Sequence, residues 1–362
     1  MSFAKVRGQE RAVERLSAAL QGGRLAHAYL LTGPEGVGKR TLARALAKAA
    51  ACETGRETGD ACGRCASCRA MESGNSFDFN ALLVEEGGEK GRARDSAPFG
   101  ERQPAERKVR PVSDEDREIK IGSIRMMERE MFLKSASGRT RAFLIPGAER
   151  MNEEAANALL KTLEEPPPGR LLILTAARPE ALLPTVLSRV ARVRLRSLSA
   201  REVEDCLVEE HGKLREEARE LAWAANGSIG AALAGSVEKT RRAREFVTKT
   251  WAGGRLPEPL ALSDAMLEFA GGAAGSKDRT AQALGRELLA LWGLVRGRYR
   301  GALLSAAGAG GEEAAEALAE LGPERLARAL GAQLEADRAV RGYDAPEHVC
   351  RVLAGELSAA GR

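Results

Sequence analysis

Aromatic residues are scarce: the 362-residue chain holds eight Phe, three Tyr and three Trp. A platform that stacks single-stranded bases needs such rings, so that mode of nucleic-acid binding is not expected. Long apolar runs are missing as well. No uncharged stretch approaches the ~18 residues needed to cross a bilayer, so no membrane association is expected. The first residues, MSFAKVRGQER, form no apolar signal segment, which argues against secretion and for a cytoplasmic location. In a reducing compartment the six Cys read as thiols or metal ligands and not as a disulfide framework. Excess charge is also small. Fifty-six Lys and Arg against 51 Asp and Glu leave a net +5, too mild to declare a nucleic-acid binder but compatible with one basic face.

What is abundant is Ala, Leu, Arg, Glu and Gly, a helix-rich composition, over a length that suits two or three domains. AYLLTG, Ala28 to Gly33, is a short buried-strand run ending at glycine, and RTLARALAKAAA, Arg40 to Ala51, has helical spacing. Strand, glycine loop and helix in that order open an α/β domain with a parallel sheet. Arg141 to Gly147 and Arg170 to Ala177 are further strand candidates, with the helix NEEAANALLKTLEE between them ended by Pro166, Pro167 and Pro168. From Leu198 the texture is helical to the end, with Leu284, Leu288, Trp292 and Val295 on one face as a core stripe. Glu85 to Glu118 stands apart. Eighteen of its 34 residues are charged and almost nothing in it can be buried, which predicts a solvated, flexible insertion.

GPEGVGKRT, Gly33 to Thr41, follows the first strand directly. Gly33, Gly36 and Gly38 let the backbone wrap a phosphate at a helix N-terminus, and Lys39 supplies charge to the β and γ oxygens. One position departs from the pattern. The hydroxyl that would hold Mg²⁺ after the Lys is replaced by Arg40, and Thr41 comes one step late. Nucleotide binding is compatible with that change; metal-dependent hydrolysis is not expected. Cys52, Cys62, Cys65 and Cys68 form C-x9-C-x2-C-x2-C, the last three in a hairpin-like stretch. Four thiolates suit a closed structural Zn²⁺ site, with an iron–sulfur cluster or redox disulfides as the competing readings. Cys206 and Cys350 are isolated in helical context and read as small buried hydrophobes, His27 as a packed histidine, and Glu164-Glu165 as packing or capping groups.

GQERAVERL, HAYLLTGPEGVGKRTLA, the four-Cys insert, MNEEAANALLKTLEEPP and LLPTVLSRV, in that order, resemble bacterial clamp-loader subunits of the AAA+ class, which belong to the DNA polymerase III holoenzyme. The resemblance covers roughly residues 4 to 235 and is most specific at Ala156 to Pro167. It implies an AAA+ P-loop module over 1–197 with a zinc insert at 52–68, a helical lid over 198–250 and an all-α collar over 251–362.

Two members share this framework, the ATP-hydrolysing gamma/tau subunit and the delta-prime subunit. In a hydrolysing member the third strand ends in adjacent Asp and Glu; the matching positions here are Pro146 and Gly147, with Glu149 beyond a Pro-Gly turn as a poor substitute. The polar sensor position falls on Ala177, with Thr175 displaced, and the lid arginine position on Gly230. Ser188-Arg189 matches the family's Ser-Arg-Cys motif with Val190 in place of Cys, and the resemblance implies that Arg189 acts in trans as an arginine finger; a surface capping Arg is the plain alternative. The implied protein is a delta-prime stator, with a degenerate ATP site, structural zinc and no catalysis alone. It implies a hetero-pentamer with gamma/tau and delta, loading a sliding clamp onto primed DNA at the nucleoid. A gamma/tau-like ATPase is the alternative, and a freestanding signalling ATPase a third.

Overall fold

The computed structural model describes residues 2–82 apart from 75, residues 118–250 apart from 134, 136 and 137, then 258–274, scattered positions from 284 to 299, 323–341 and 345–360. The charged insertion, except for Glu118, lies outside the described residues. The chain divides into two compact units, Met1–Ser197 and Leu198–Arg362.

The first unit is α/β. Its strands are β1 (Ala28–Thr32), β2 (Phe79–Ala81), β3 (Arg141–Ile145), β4 (Arg170–Ala176) and β5 (Ala191–Arg194), all parallel in the order β2-β3-β4-β1-β5. A parallel sheet needs helices on both faces, which is why its inner strands read as unbroken apolar runs. All five residues of β1 and of β3 are buried. Register alternates the two faces: Leu30 lies beside Leu174, and Leu174 beside Ile145, in one row. That row packs with α5 (Ile121–Phe132) and α6 (Glu153–Glu164) through Ile124, Met127 and Leu159. The alternate residues, Tyr29, Leu31 and Ile173, are buried too. On their side α2 (Lys39–Ala51) packs along β3 and β4, burying Leu42 and Leu46 completely. Asn152 caps α6 by accepting from the Ala155 N–H at 2.9 Å.

Arg141, 5 % exposed at the start of β3, ties the sheet edge together. Its guanidinium donates to the carbonyls of Phe77 and Glu130, at 3.0 and 2.7 Å, and pairs with the Glu130 carboxylate at 3.0 Å. A buried guanidinium is tolerated there because its donors meet acceptors in a fixed fork.

The second unit is helical. It begins with α8 (Ala200–His211), started by a reciprocal capping box between Ser199 and Glu202, after the one-turn α7 (Pro184–Leu187) of the first unit. α9 (Arg215–Ala224), α10 (Ile229–Ala234), α11 (Val237–Thr250) and α12 (Pro259–Ala274) follow, and helices Pro323–Arg341 and Pro346–Ala360 end the chain. Leu288, Trp292 and Val295 of the apolar stripe are buried in one cluster with Met266, Tyr299 and Leu353, and Leu284 packs against it half-buried.

Candidate functional site: a phosphate loop and a cysteine module on one helix

β1 is flanked by β4 on one side and the edge strand β5 on the other, so its carboxyl end opens at the carboxyl edge of the sheet, the side on which open α/β sheets bind ligands. The glycine loop leaves from there. Gly33 has φ +148°, and a Cβ on it would sit 2.6 Å from the Leu195 carbonyl oxygen, so only glycine lets the loop pass β5's end. Gly36 and Gly38 also take positive φ, Gly38 as the left-handed N-cap of α2. A glycine loop leading into a helix amino end is the arrangement that suits a phosphate. Lys39, however, is folded back: its Nζ donates to the carbonyls of Gly33 and Pro34, both at 2.6 Å. Burial pushes the Lys39 ammonium below its ordinary pKa, with Glu149 the strongest charge opposing that shift. Thr41 is half-buried on the first turn of α2, and Arg40 is exposed.

The positions that the resemblance assigns to Mg²⁺ lie around this loop. They are occupied by Arg40, Pro146 and Gly147, none of which carries a hydroxyl or carboxylate. The Gly147 N–H is instead tied to the Thr175 hydroxyl at 3.1 Å, and Thr175 is buried at the end of β4. Ala177 contributes only its N–H, which donates to the Glu149 carboxylate at 2.8 Å.

At the other end of α2 stands the cysteine module. Cys52 is the C-cap of α2, Cys65 the N-cap of α4 (Ala66–Glu72), and Cys68 lies in the first turn of α4, with Cys62 in the loop between. Cys62, Cys65 and Cys68 therefore span a loop and a helix start, and not the hairpin-like stretch the spacing suggested: the Cys65 Sγ accepts from the Cys68 N–H and so begins a helix. All four Sγ atoms lie within 4.8 Å of one another. Cys65 and Cys52 Sγ are 3.9 Å apart, close to the about 3.8 Å edge of a tetrahedron with metal–sulfur bonds of about 2.3 Å. Backbone N–H groups of Cys62, Cys65 and Cys68 point at the sulfurs of Cys52, Cys62 and Cys65, at 3.3, 3.4 and 3.4 Å. Such donors favour thiolate: the amides of Arg64 and Cys65 lower the Cys62 pKa to about 6, whereas burial raises that of Cys68. The donor set fits a closed, four-sulfur metal site.

Arg189 follows α7 at the surface, 36 % exposed. Its Nη1 donates to the Thr185 carbonyl and the Ser188 hydroxyl, at 3.0 and 3.1 Å, and its Nη2 pairs with Glu164 at 2.7 Å. Glu164, read as packing or capping, is thus the acidic partner of the motif arginine. The signal was available, since both residues belong to the quoted motifs, but sequence distance hides the pairing. His27 is a correction: it is exposed, at the amino end of β1 and away from the phosphate loop, because only its carbonyl, which accepts from the Leu172 N–H, is needed by the sheet. Cys206 and Cys350 are buried, as the helical context suggested. Cys206, Glu210 and His211 also bring one ligand atom each within 4.8 Å on α8, a grouping the sequence reading missed.

The family model described as "DNA polymerase III, delta subunit" matches residues 8–199, just over half of the chain. The chain belongs to this family. That places it in the clamp-loader group of DNA polymerase III subunits, as the motif order implied. Among curated relatives, the DNA polymerase III subunit tau of Escherichia coli is 34% identical over 237 residues, covering 64% of this chain and 32% of the relative. The subunit delta' of Pseudomonas aeruginosa is 34% identical over 164 residues, covering 45% and 41%. The alignment therefore spans about a third of tau and about two fifths of delta'. A gamma subunit-related protein of DNA polymerase III from Thermotoga maritima overlays with a TM-score of 0.40 at 17% identity, covering 97% of this chain and all of that one. Among the described residues, no helix is long and apolar enough to cross a membrane.

The cysteine module is also clamped to α2 by an ion pair. Lys48, 2 % exposed in the last turns of α2, donates to Glu72 at the end of α4. The hydrogen bond from Lys48 holds the Glu72 carboxyl down to about 2, from an ordinary value of 4.5. A carboxylate with a depressed pKa stabilises the fold above its unfolded pKa, and that contribution is lost as pH falls. The stability difference between wild type and Glu72→Gln, measured by urea denaturation, should be constant above pH 4.5 and vanish as pH drops toward 2. A difference that persists unchanged at pH 2 would show that the ion pair does not hold the module.

Proposed function

We propose that the chain is the delta-prime, or stator, subunit of a DNA polymerase III clamp loader. The observation that carries this reading is Pro146-Gly147 at the end of β3, where a hydrolysing subunit needs two carboxylates to hold Mg²⁺ and orient water. Arg40, Ala177 and Gly230 remove three further parts of the same machinery. Arg189 is retained at the surface, where a guanidinium serves a neighbour's site better than its own. In this reading 1–197 is an AAA+ module, 198–250 a lid and 251–362 a collar. Its partners are gamma/tau and delta in a hetero-pentamer, acting on a sliding clamp and primed DNA in the cytoplasm at the nucleoid. ATP is bound weakly or not at all, without turnover. The gamma/tau reading has one observation in its favour, the longer alignment to tau than to delta'.

The two readings separate on turnover. The purified chain should show no steady-state ATPase; turnover that Lys39→Ala abolishes would establish the gamma/tau reading in its place.

Arg189 should act on a partner's ATP. An arginine finger is worth about 10³–10⁵ in rate at the site it serves. In rings reconstituted with gamma/tau and delta, Arg189→Ala should leave assembly intact and cut clamp- and DNA-stimulated ATPase and loading. An unchanged rate in confirmed rings would remove Arg189 from the chemistry.

Cys52, Cys62, Cys65 and Cys68 should hold one structural Zn²⁺. Atomic emission on protein purified without chelator should find about one equivalent, as one four-thiolate site requires, and Cys65→Ser should lose it. An iron chromophore, or no metal, would reject zinc.

A further inference from the structure

The sequence pattern makes Glu149 only a poor substitute for a metal-holding carboxylate, yet its surroundings are specific. It sits on the 3-10 turn Ala148–Arg150 that leaves β3 at the carboxyl edge of the sheet. Its Oε1 accepts the Ala177 N–H at 2.8 Å, which fixes the carboxylate against the end of β4. One residue earlier, the Ala176 carbonyl accepts from the N–H of Gly33, the first glycine of the loop, at 3.3 Å. The same strand end therefore holds both the loop and the carboxylate. Oε2 of Glu149 is buried and has no hydrogen-bond partner among the described residues. A buried carboxylate oxygen without a donor is costly unless positive charge stands nearby. Lys39 is a positive charge near enough to feel that carboxylate. Its ammonium is folded onto the loop carbonyls of Gly33 and Pro34, and of the two carboxylates that favour its charge, Glu149 acts more strongly than the exposed Glu35, while Arg40 acts against it.

We propose that Glu149 is the resident anion of the phosphate loop: its carboxylate compensates Lys39 while the lysine is folded back, and nucleotide phosphates must overcome it to bind. A carboxylate fixed at the strand end that also holds the loop repels a polyphosphate that carries the same sign, and it removes the lysine's need for one. The loop thereby keeps its shape without a ligand. This rests on the non-hydrolysing reading above and deepens it, because it names the group that sets nucleotide affinity at that loop.

The test is calorimetric titration of the full chain with Mg-ADP and Mg-ATP. Glu149→Gln keeps the size of the side chain, and Glu149→Ala removes it; near-UV circular dichroism checks that each is folded. Both should bind nucleotide about tenfold or more tightly than wild type, as loss of one fixed like charge in a partly buried site allows. The gain should disappear in the double variant Lys39→Ala/Glu149→Ala, and Glu35→Gln should give little of it. Equal or weaker binding by the folded Glu149→Gln protein would overturn the assignment, and weaker binding would mark Glu149 as a ligand for the nucleotide's metal instead. An equal gain from Glu35→Gln would overturn it too, since net charge and not position would then be responsible. Turnover of ATP by wild type, scored in the same samples, overturns only the non-hydrolysing reading; a missing affinity gain overturns only the role of Glu149.

Discussion

The structure of the first unit depends on the complete pairing of β1. Its backbone is bonded on one side to β4 and on the other to β5, and all of its side chains are buried. Water cannot replace those hydrogen bonds, so the carboxyl end of the strand has almost no freedom. The glycine loop inherits that rigidity, and α2 begins at a fixed point with a fixed direction. Gly33 reports how tight the constraint is, because the carbonyl of Leu195 excludes even a methyl group there.

From that point the chemistry divides along α2. Its amino end presents amides and Lys39, groups suited to anions; its carboxyl end presents Cys52 and, through Lys48, a grip on α4. The buried face between, with Leu42 and Leu46, fastens the helix to the sheet. The adjoining strand ends carry Pro146, Gly147 and Ala177, and local hydrogen bonds tie them together. Thr175 takes up the Gly147 N–H, and Glu149 takes up that of Ala177, so both of these amides have a side-chain acceptor.

How much of this was legible follows from local signals. β1, β3 and β4 were plain because strands buried on both faces are unbroken apolar runs, and their bounds differ from the sequence reading only at the carboxyl ends. β2 and β5 were not legible: Phe79–Ala81 has three residues, and Ala191–Arg194 carries two arginines, as edge positions allow. α5 escaped notice as well, since Ile124, Met127 and Met131 form a sparse stripe beside the charged insertion. The loop glycines and the four cysteines were legible because their chemistry demands particular residues at particular spacings. Glu149 and Glu164 were not, because a carboxylate acquires its role from partners 28 and 25 positions away in sequence.

The thirteen residues of α2 make a rod of about 20 Å at 1.5 Å per residue. Its last carbonyls are orphaned by helix geometry, and the Cys52 N–H closes back on one of them, that of Ala49. The cysteine module is therefore also a clasp on a helix end. Opening it would fray the final turn first, several turns away from the loop, so the two ends of one rod can fail separately. Damage to the sulfur end would reach the phosphate end only as altered leverage, after the leucines between had let go.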